Sequence, residues 1–571
     1  MLLALIQQKM IKYIYSFFLF LLPLVLITQT SLVNTFFVII FAFCLLLFNL
    51  FKPQKIVYHK LVLLFFFFVL LSSIFSKNIF LSFWGKGAES LIAFISIFII
   101  FSYFRRDYFK EVFKFFVLGS IVSIIYFFIQ HFIGNDIFNI TQLSIIAALS
   151  LLFLILKYRD KKIIGGVILF FIFLVFVDIK IAWFILSVGT FLIFYKDLIN
   201  CNFQIKKTIP LLLILIVFLI CFLIPIPLGV KNEEGRIPYD QSISIAKQSL
   251  LESPKNFLLG SGLSTYHYQF SLYKDKEINL TNPYLVANEG SSMILTFAVT
   301  MGILGVVSLL ALLFFFYFKG FQVFLEEKDI IFPVAFSFSL LFFFAQIDIF
   351  LILIFFILLN SWIKDNKEIG INKIVVIIFL AFFAFAGFNY YNYIKADNHY
   401  NQSLNYFVSG ELLGKSINEM EKSIQFFKLS DYYIALSKLY LLNASQYFEE
   451  RWVTQEKINE QRKMIEENIA LSEKYAKEAI EIDENNFQAW QKLGLLYENI
   501  NFLNEEKTED IIYNYQKAKQ LAPQNYDIYY ALGRTYEESG KRDLALEEYK
   551  KAIELNPNDS ELLNKIKTWE D

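Results

Sequence analysis

Residues 229–290 read GVKNEEGRIPYDQSISIAKQSLLESPKNFLLGSGLSTYHYQFSLYKDKEINLTNPYLVANEG and gather side chains suited to proton transfer. Histidine is the side chain whose ordinary range lies near neutrality, which makes His267 a candidate general acid or base. Its neighbours Tyr266 and Tyr268 equally make an ordinary packing site for an imidazole. Glu289 is a second local base candidate, and an acid there also suits the positive end of the helix that follows. Arg236 stands near the start of the stretch, where a loop charge is ordinarily exposed and solvated. Gly260 and Gly262 bound a turn, while Ser291 and Ser292 open an apolar helix that carries GILG at 302–305. The four histidines and three cysteines are isolated and show no metal-ligand spacing, so no metal or other cofactor is expected.

The elements that must position these groups follow from hydropathy. Hydrophobic residues form 57% of the 571-residue chain, yet they concentrate in residues 1–394, whereas 395–571 is rich in Glu, Lys, Asn and Tyr. That division implies an all-α polytopic membrane domain, 1–394, followed by a soluble domain, 395–571. Apolar runs of membrane-crossing length occur near 13–29, 34–51, 60–76, 88–104, 113–133, 140–157, 163–179, 181–195, 209–228, 291–318, 331–347, 348–363 and 374–393. The pairs 163–195 and 331–363 are nearly continuous, so twelve or thirteen spans are expected. The first run lacks a small-residue cleavage site and reads as an anchor.

Lysine and arginine resist translocation, so their distribution sets orientation. With the N-terminus in the cytoplasm, 21 of them fall on the cytoplasmic side, and only Lys77, Lys86 and Lys180 fall in short outer loops. An odd span count then places residues 395–571 outside the cytoplasm, on a multi-pass protein of the inner (plasma) membrane. The balanced charge shows no basic patch and argues against nucleic acid as a partner.

The soluble tail is repetitive. Trp490, Leu493, Gly494, Tyr497, Tyr515, Ala518 and Pro523 recur as Tyr529, Leu532, Gly533, Tyr536, Tyr549, Ala552 and Pro557. This is the tetratricopeptide pattern, in which large residues wedge between two antiparallel helices that small residues allow to approach. YYIALSKLYLLNAS, from Tyr432, is a looser copy. The array is expected to form an α-solenoid that binds a protein segment or assembly partner, whose identity the repeats do not name.

The order of a long outer loop, Arg236, SPKNFLLGSGLSTYHYQF and ILTFAVTMGILG resembles the core of the O-antigen ligase and O-antigen polymerase superfamily. LSFWGKGAE at 81–89 and DIKIAWFILSVGTFLIF at 178–194 are similar to further landmarks of that family. The resemblance implies a glycosyltransferase that moves a polyprenyl-diphosphate-linked glycan, such as an undecaprenyl-diphosphate glycan, to lipid, glycan or protein outside the cytoplasm. By the same resemblance Arg236 and Lys180 would hold the diphosphate, with the Gly260–Gly262 turn and Ser291 in the substrate site. His267 would be the candidate base. Ser291 stands where the ligases carry a histidine, and Thr300 where they often carry a glutamate. Three readings stay open beside a ligase or protein oligosaccharyltransferase: a polymerase, a non-catalytic scaffold displaying the repeats, and a transporter. Scarce intramembrane acid–base pairs argue against the last.

Overall fold

In the computed structural model, the residues described are 2–25, 31–85, 89–133, 140–155, 164–199, 205–224, 237–281, 285–326, 331–362, 367–409, 413–447, 455–501 and 507–570. They are almost entirely helical. The chain divides into two compact units, one of residues 1–246, 250–264 and 289–387, the other of 247–249, 265–288 and 388–571. The loop 229–290 is thus shared between units and does not belong to the first alone. The last apolar run also continues as a single helix past residue 394.

The first unit opens with α1 (Leu2–Val25) and α2 (Ser31–Phe51), followed by strand β1 (Lys55–Tyr58), α3 (Lys60–Ile74) and the short α4 (Ile79–Trp84). Next come α5 (Leu91–Tyr103), α6 (Phe109–Ile133), α7 (Ile140–Ile155), α8 (Ile164–Val177), α9 (Lys180–Ile199) and α10 (Ile205–Leu223). The near-continuous run 163–195 is two helices because Asp178 takes a left-handed conformation, φ +48°, which aspartate tolerates better than a branched residue. Every residue of α7 is buried, so this helix, apolar all round, lies at the centre of its unit. In contrast, α10 exposes Leu212, Leu213, Ile216, Val217 and Ile220. An apolar face of that kind is unfavourable in water and suited to lipid.

In the loop, α11 (Tyr239–Leu251) and α12 (Pro254–Leu259) are followed by α13 (Tyr266–Tyr273) and α14 (Lys276–Thr281). The oxygen of Ser253 caps α12 by accepting from the Asn256 amide, and Pro254 fits its first turn. Returning to the first unit, α15 (Met293–Glu326) is followed by α16 (Ile331–Ser339), α17 (Leu341–Phe344) and α18 (Ile349–Trp362). The run 331–363 is interrupted at 345–348, where Asp348 caps α18 through the Phe350 amide at 3.0 Å. Strand β2 (Lys367–Gly370) pairs antiparallel with β1, Lys55 opposite Gly370, a two-stranded addition to the expected all-helical architecture. Helix α19 (Lys373–Val408) contributes residues to both units. Among the described residues, four helical stretches, Leu32–Phe51, Glu111–Ile133, Met293–Leu325 and Lys373–Val408, are each long and apolar enough to cross a membrane alone.

The second unit is an array of helical hairpins: α20 (Leu413–Phe426), α21 (Ser430–Gln446), α22 (Gln455–Ile482), α23 (Phe487–Asn501), α24 (Thr508–Leu521), α25 (Tyr526–Glu538), α26 (Arg542–Leu555) and the end helix α27 (Ser560–Glu570). Gly533 meets the ring of Tyr549 and Gly494 that of Tyr515, as the repeat pattern requires. In the looser copy, Ser437 stands at the glycine position of α21. Its hydroxyl donates to the Ser472 carbonyl of α22 at 2.8 Å, and the Ser472 hydroxyl returns a bond of the same length. The end of α19 and α20 repeat this crossing through Ser403 and Ser416. Hydroxyl exchange therefore closes the degenerate hairpins where Gly–Tyr packing closes the regular ones.

Candidate functional site

The LLGSG turn and the GILG helix are two halves of one structure. Helix α15 is broken at Gly302, with φ +66° and ψ −169°, and Gly260 has nearly the same conformation, φ +73° and ψ −170°. Only glycine adopts this region without strain. The break turns the carbonyls of Val299 and Thr300 away from helical partners. The amides of Ser261 and Gly262 bind them instead, each at 2.9 Å. The Ser72 hydroxyl of α3 adds a bond of 2.6 Å to the Thr300 carbonyl. The main chains touch: a Cβ on Gly260 would lie 2.4 Å from the Thr300 carbonyl carbon, and one on Gly302 would lie 2.6 Å from the Gly260 nitrogen.

This lock sets the register of the mouth of α15. The Gly290 amide binds the Thr296 hydroxyl at 3.0 Å, and the Gly290 carbonyl accepts from the Gln346 side chain at 2.6 Å. The Ser291 amide donates to the Ser242 hydroxyl of α11 at 2.9 Å. The side-chain oxygens of Ser291, Ser292, Gln346 and Thr35, with one oxygen each of Asn34 and Glu89, are buried and meet no hydrogen-bond partner among the described residues.

Three carboxyl groups, Glu89 before α5, Glu289 before α15 and Asp348 before α18, lie in loops of this unit. Burial pushes Glu289 up to about 7, with the charge of Asp348 adding to the effect. Glu89 is also buried, and its main-chain carbonyl accepts from the Ser264 hydroxyl. Asp348 is buried and accepts from the Phe350 amide and the Asn34 side chain, each at 3.0 Å. Glu289, raised in this way, is suited to proton transfer near neutral pH.

The residues expected from sequence are distributed unevenly. Gly260, Gly262 and Ser291 come together with α15. Lys180 engages another part of the unit: its ammonium pairs with Asp178 at 2.9 Å and donates to the carbonyls of Cys221 at 2.9 Å and Ile224 at 2.7 Å. His267 belongs to the second unit, where it is buried with its ring against Tyr268, centroids 4.1 Å apart. Arg236 lies outside the described residues. Glu89, Asp348, Gln346 and Asn34 do not stand out as site residues in the sequence. Their signal is weak but present: single acids and amides inside otherwise apolar stretches.

Comparison with known proteins identifies the C-terminal unit alone. A tetratricopeptide repeat model matches residues 526–559. No curated protein matches the chain. Among solved structures, YrrB, described as a TPR protein with an unusual peptide-binding site, is 19% identical over 34% of this chain and 85% of its own, with a TM-score of 0.23. MamA is 20% identical over 29% and 81%, TM-score 0.22. A thermophilic TPR protein of Thermus thermophilus is 17% identical over 34% and 95%, TM-score 0.24. The repeats mark this unit as one for protein–protein interaction.

Proposed function

We propose that the chain is a membrane glycosyltransferase of the O-antigen ligase type, moving a glycan from a polyprenyl diphosphate to an acceptor hydroxyl outside the cytoplasm. The observation that carries this reading is the Gly260–Gly302 lock, which sets a carboxyl of raised proton affinity, Glu289, two residues before Ser291 at the mouth of α15. Titrating near neutrality, Glu289 suits the base that the absent histidine would otherwise supply. Its carboxylate takes the proton of the acceptor hydroxyl as that oxygen attacks the anomeric carbon. The bond from this carbon to the diphosphate breaks with inversion, and the diphosphate leaves on its lipid carrier. Arg236 is the cation suited to the growing negative charge on the leaving group. The unpaired oxygens of Ser291 and Ser292 offer hydrogen bonds to sugar hydroxyls. The repeats favour a protein partner or protein acceptor, with both the site and the repeats on the outer side of the membrane.

The test is reconstitution in lipid with an undecaprenyl-diphosphate glycan and lipid, glycan and protein acceptors. Wild type transfers the glycan, Arg236→Ala and Glu289→Gln lose transfer, and His267→Ala keeps it. Failure of wild type with every acceptor, alongside partner capture that depends on the repeats, overturns the reading in favour of a scaffold. Loss in His267→Ala with retention in Glu289→Gln reassigns the base.

A further inference from the structure

In the second unit, the segment that carries α13 and α14 runs along the turns that join successive repeats. The Tyr268 hydroxyl donates to Asp483, between α22 and α23, at 2.6 Å. Lys274 interacts with Asp527 at the start of α25, and Lys276 reaches Glu554 near the end of α26 at 4.0 Å. One short stretch thereby meets three consecutive repeat junctions.

Between the segment and the repeats is a cavity of about 230 Å³. Its described charged lining consists of two ammonium groups, Lys274 and Lys492, and one carboxylate, Asp527. Burial lowers Lys274 to about 8, against the favourable charge of Asp527. Lys492 is also lowered, first by burial and then by the like charge of Lys438. Asp527 is raised by burial, and both lysines oppose that rise. One carboxylate between two partly desolvated cations leaves a net positive charge, which favours an anion.

The rest of the wall narrows the class. Phe487 from the repeats supplies aromatic surface, and the fully buried Phe270 of the segment backs the wall. Gln488, Gln491 and Asn525 supply amides that both donate and accept hydrogen bonds. An aromatic face beside amides suits a ring carrying several hydroxyls better than a phosphate, which has no apolar face and only one or two hydroxyls to donate. A peptide end would offer the same carboxylate but only its backbone N–H and C=O groups to the side-chain amides, where a sugar ring offers several hydroxyls at once.

We propose that this cavity binds a sugar acid, its carboxylate between Lys274 and Lys492, its ring against Phe487, and its hydroxyls on the three amides. The walls come from the 265–288 segment and from the repeats, so the ligand would hold the two together. The proposal stands apart from the transferase reading and is tested without turnover.

The experiment is calorimetric titration of the full chain in lipid nanodiscs with sodium glucuronate, glucose and N-acetylalanine. Glucuronate binds, and glucose binds at least about tenfold more weakly because it lacks the charge. Lys492→Gln weakens glucuronate by about tenfold or more, while Lys463→Gln, on an exposed stretch of α22, leaves it unchanged. Asp527→Asn, which removes the anion competing for both ammonium groups, tightens glucuronate in mildly acidic buffer, an effect that damage to the fold would not produce. No glucuronate binding, unchanged affinity in Lys492→Gln, or equal affinity for N-acetylalanine overturns the proposal.

Discussion

Replacing Gly302 by alanine strikes the contact on which the mouth of α15 depends. Alanine would have to hold φ +66° and ψ −169°, a region that costs a side-chain-bearing residue about 1–3 kcal/mol. Its Cβ would lie 2.6 Å from both the Gly260 nitrogen and the Leu258 carbonyl carbon, main-chain atoms that cannot swing aside. The turn must therefore lift from the helix. Lifting breaks the 2.9 Å bonds from the Ser261 and Gly262 amides to Val299 and Thr300, each worth about 1–1.5 kcal/mol. The sum is about 3–6 kcal/mol, or about 10²- to 10⁴-fold in the local opening equilibrium. Hydrogen exchange on the full chain, read on peptides containing Ser261 and Gly262, measures that opening. Protection of these amides falls by this factor in Gly302→Ala and in Gly260→Ala. Gly387→Ala, whose Cβ would find only Ile39 Cγ2 at 3.9 Å, leaves it unchanged. Wild-type protection in Gly302→Ala would refute the lock and the register it imposes on Ser291.

Further expectations concern separate parts of the molecule. Glu289 holds its proton to about pH 7 in the folded chain, against an ordinary value of 4.5. The folded state therefore binds more protons between these values, so its contribution is fully present below about pH 4.5 and declines towards pH 7, by about 3 kcal/mol. Denaturation at pH 5 and pH 8 shows a smaller difference in Glu289→Gln. Tyr268→Phe removes a hydrogen bond to a carboxylate, worth about 1.5–3 kcal/mol, and trypsin cleaves after Lys274, buried in the native chain, about 10- to 100-fold faster. Ser437→Ala leaves the Ser472 hydroxyl bond in place but removes its counterpart, costing about 1 kcal/mol. Ser437→Leu also wedges the hairpin apart and lowers the thermal midpoint further. A reporter fused after Asp571 reads the side of the membrane on which the repeats lie; a cytoplasmic signal would overturn the odd span count.

Much of the helical architecture was legible because its signals are local. Apolar runs announce helices wherever the solvent requires backbone groups to be satisfied internally. Repeat spacings announce hairpins because small and large residues must alternate at a close crossing. The divisions near residue 180 and residue 348 were legible as nearly continuous pairs of runs, but the left-handed Asp178 behind the first and the single long α19 were not, since hydropathy is blind to backbone conformation. LLGSG and GILG each stood out in sequence, but nothing local showed that Gly260 and Gly302 touch. Likewise Glu89, Glu289 and Asp348 lie far apart in the chain, and their mutual influence depends on burial in one unit.

The sequence by itself determined the helical class, the apolar segments and the repeats, because those properties follow from composition and period along a local stretch. Tertiary structure alone decided which loop residues belong together. Close backbone approach joins the glycine turn to α15. The bond from Tyr268 to Asp483, and burial around Lys274, place the following segment on the repeats. The physical reason is range: periodicity acts over a few residues, whereas steric contact and electrostatics act between whatever residues folding brings within a few ångströms.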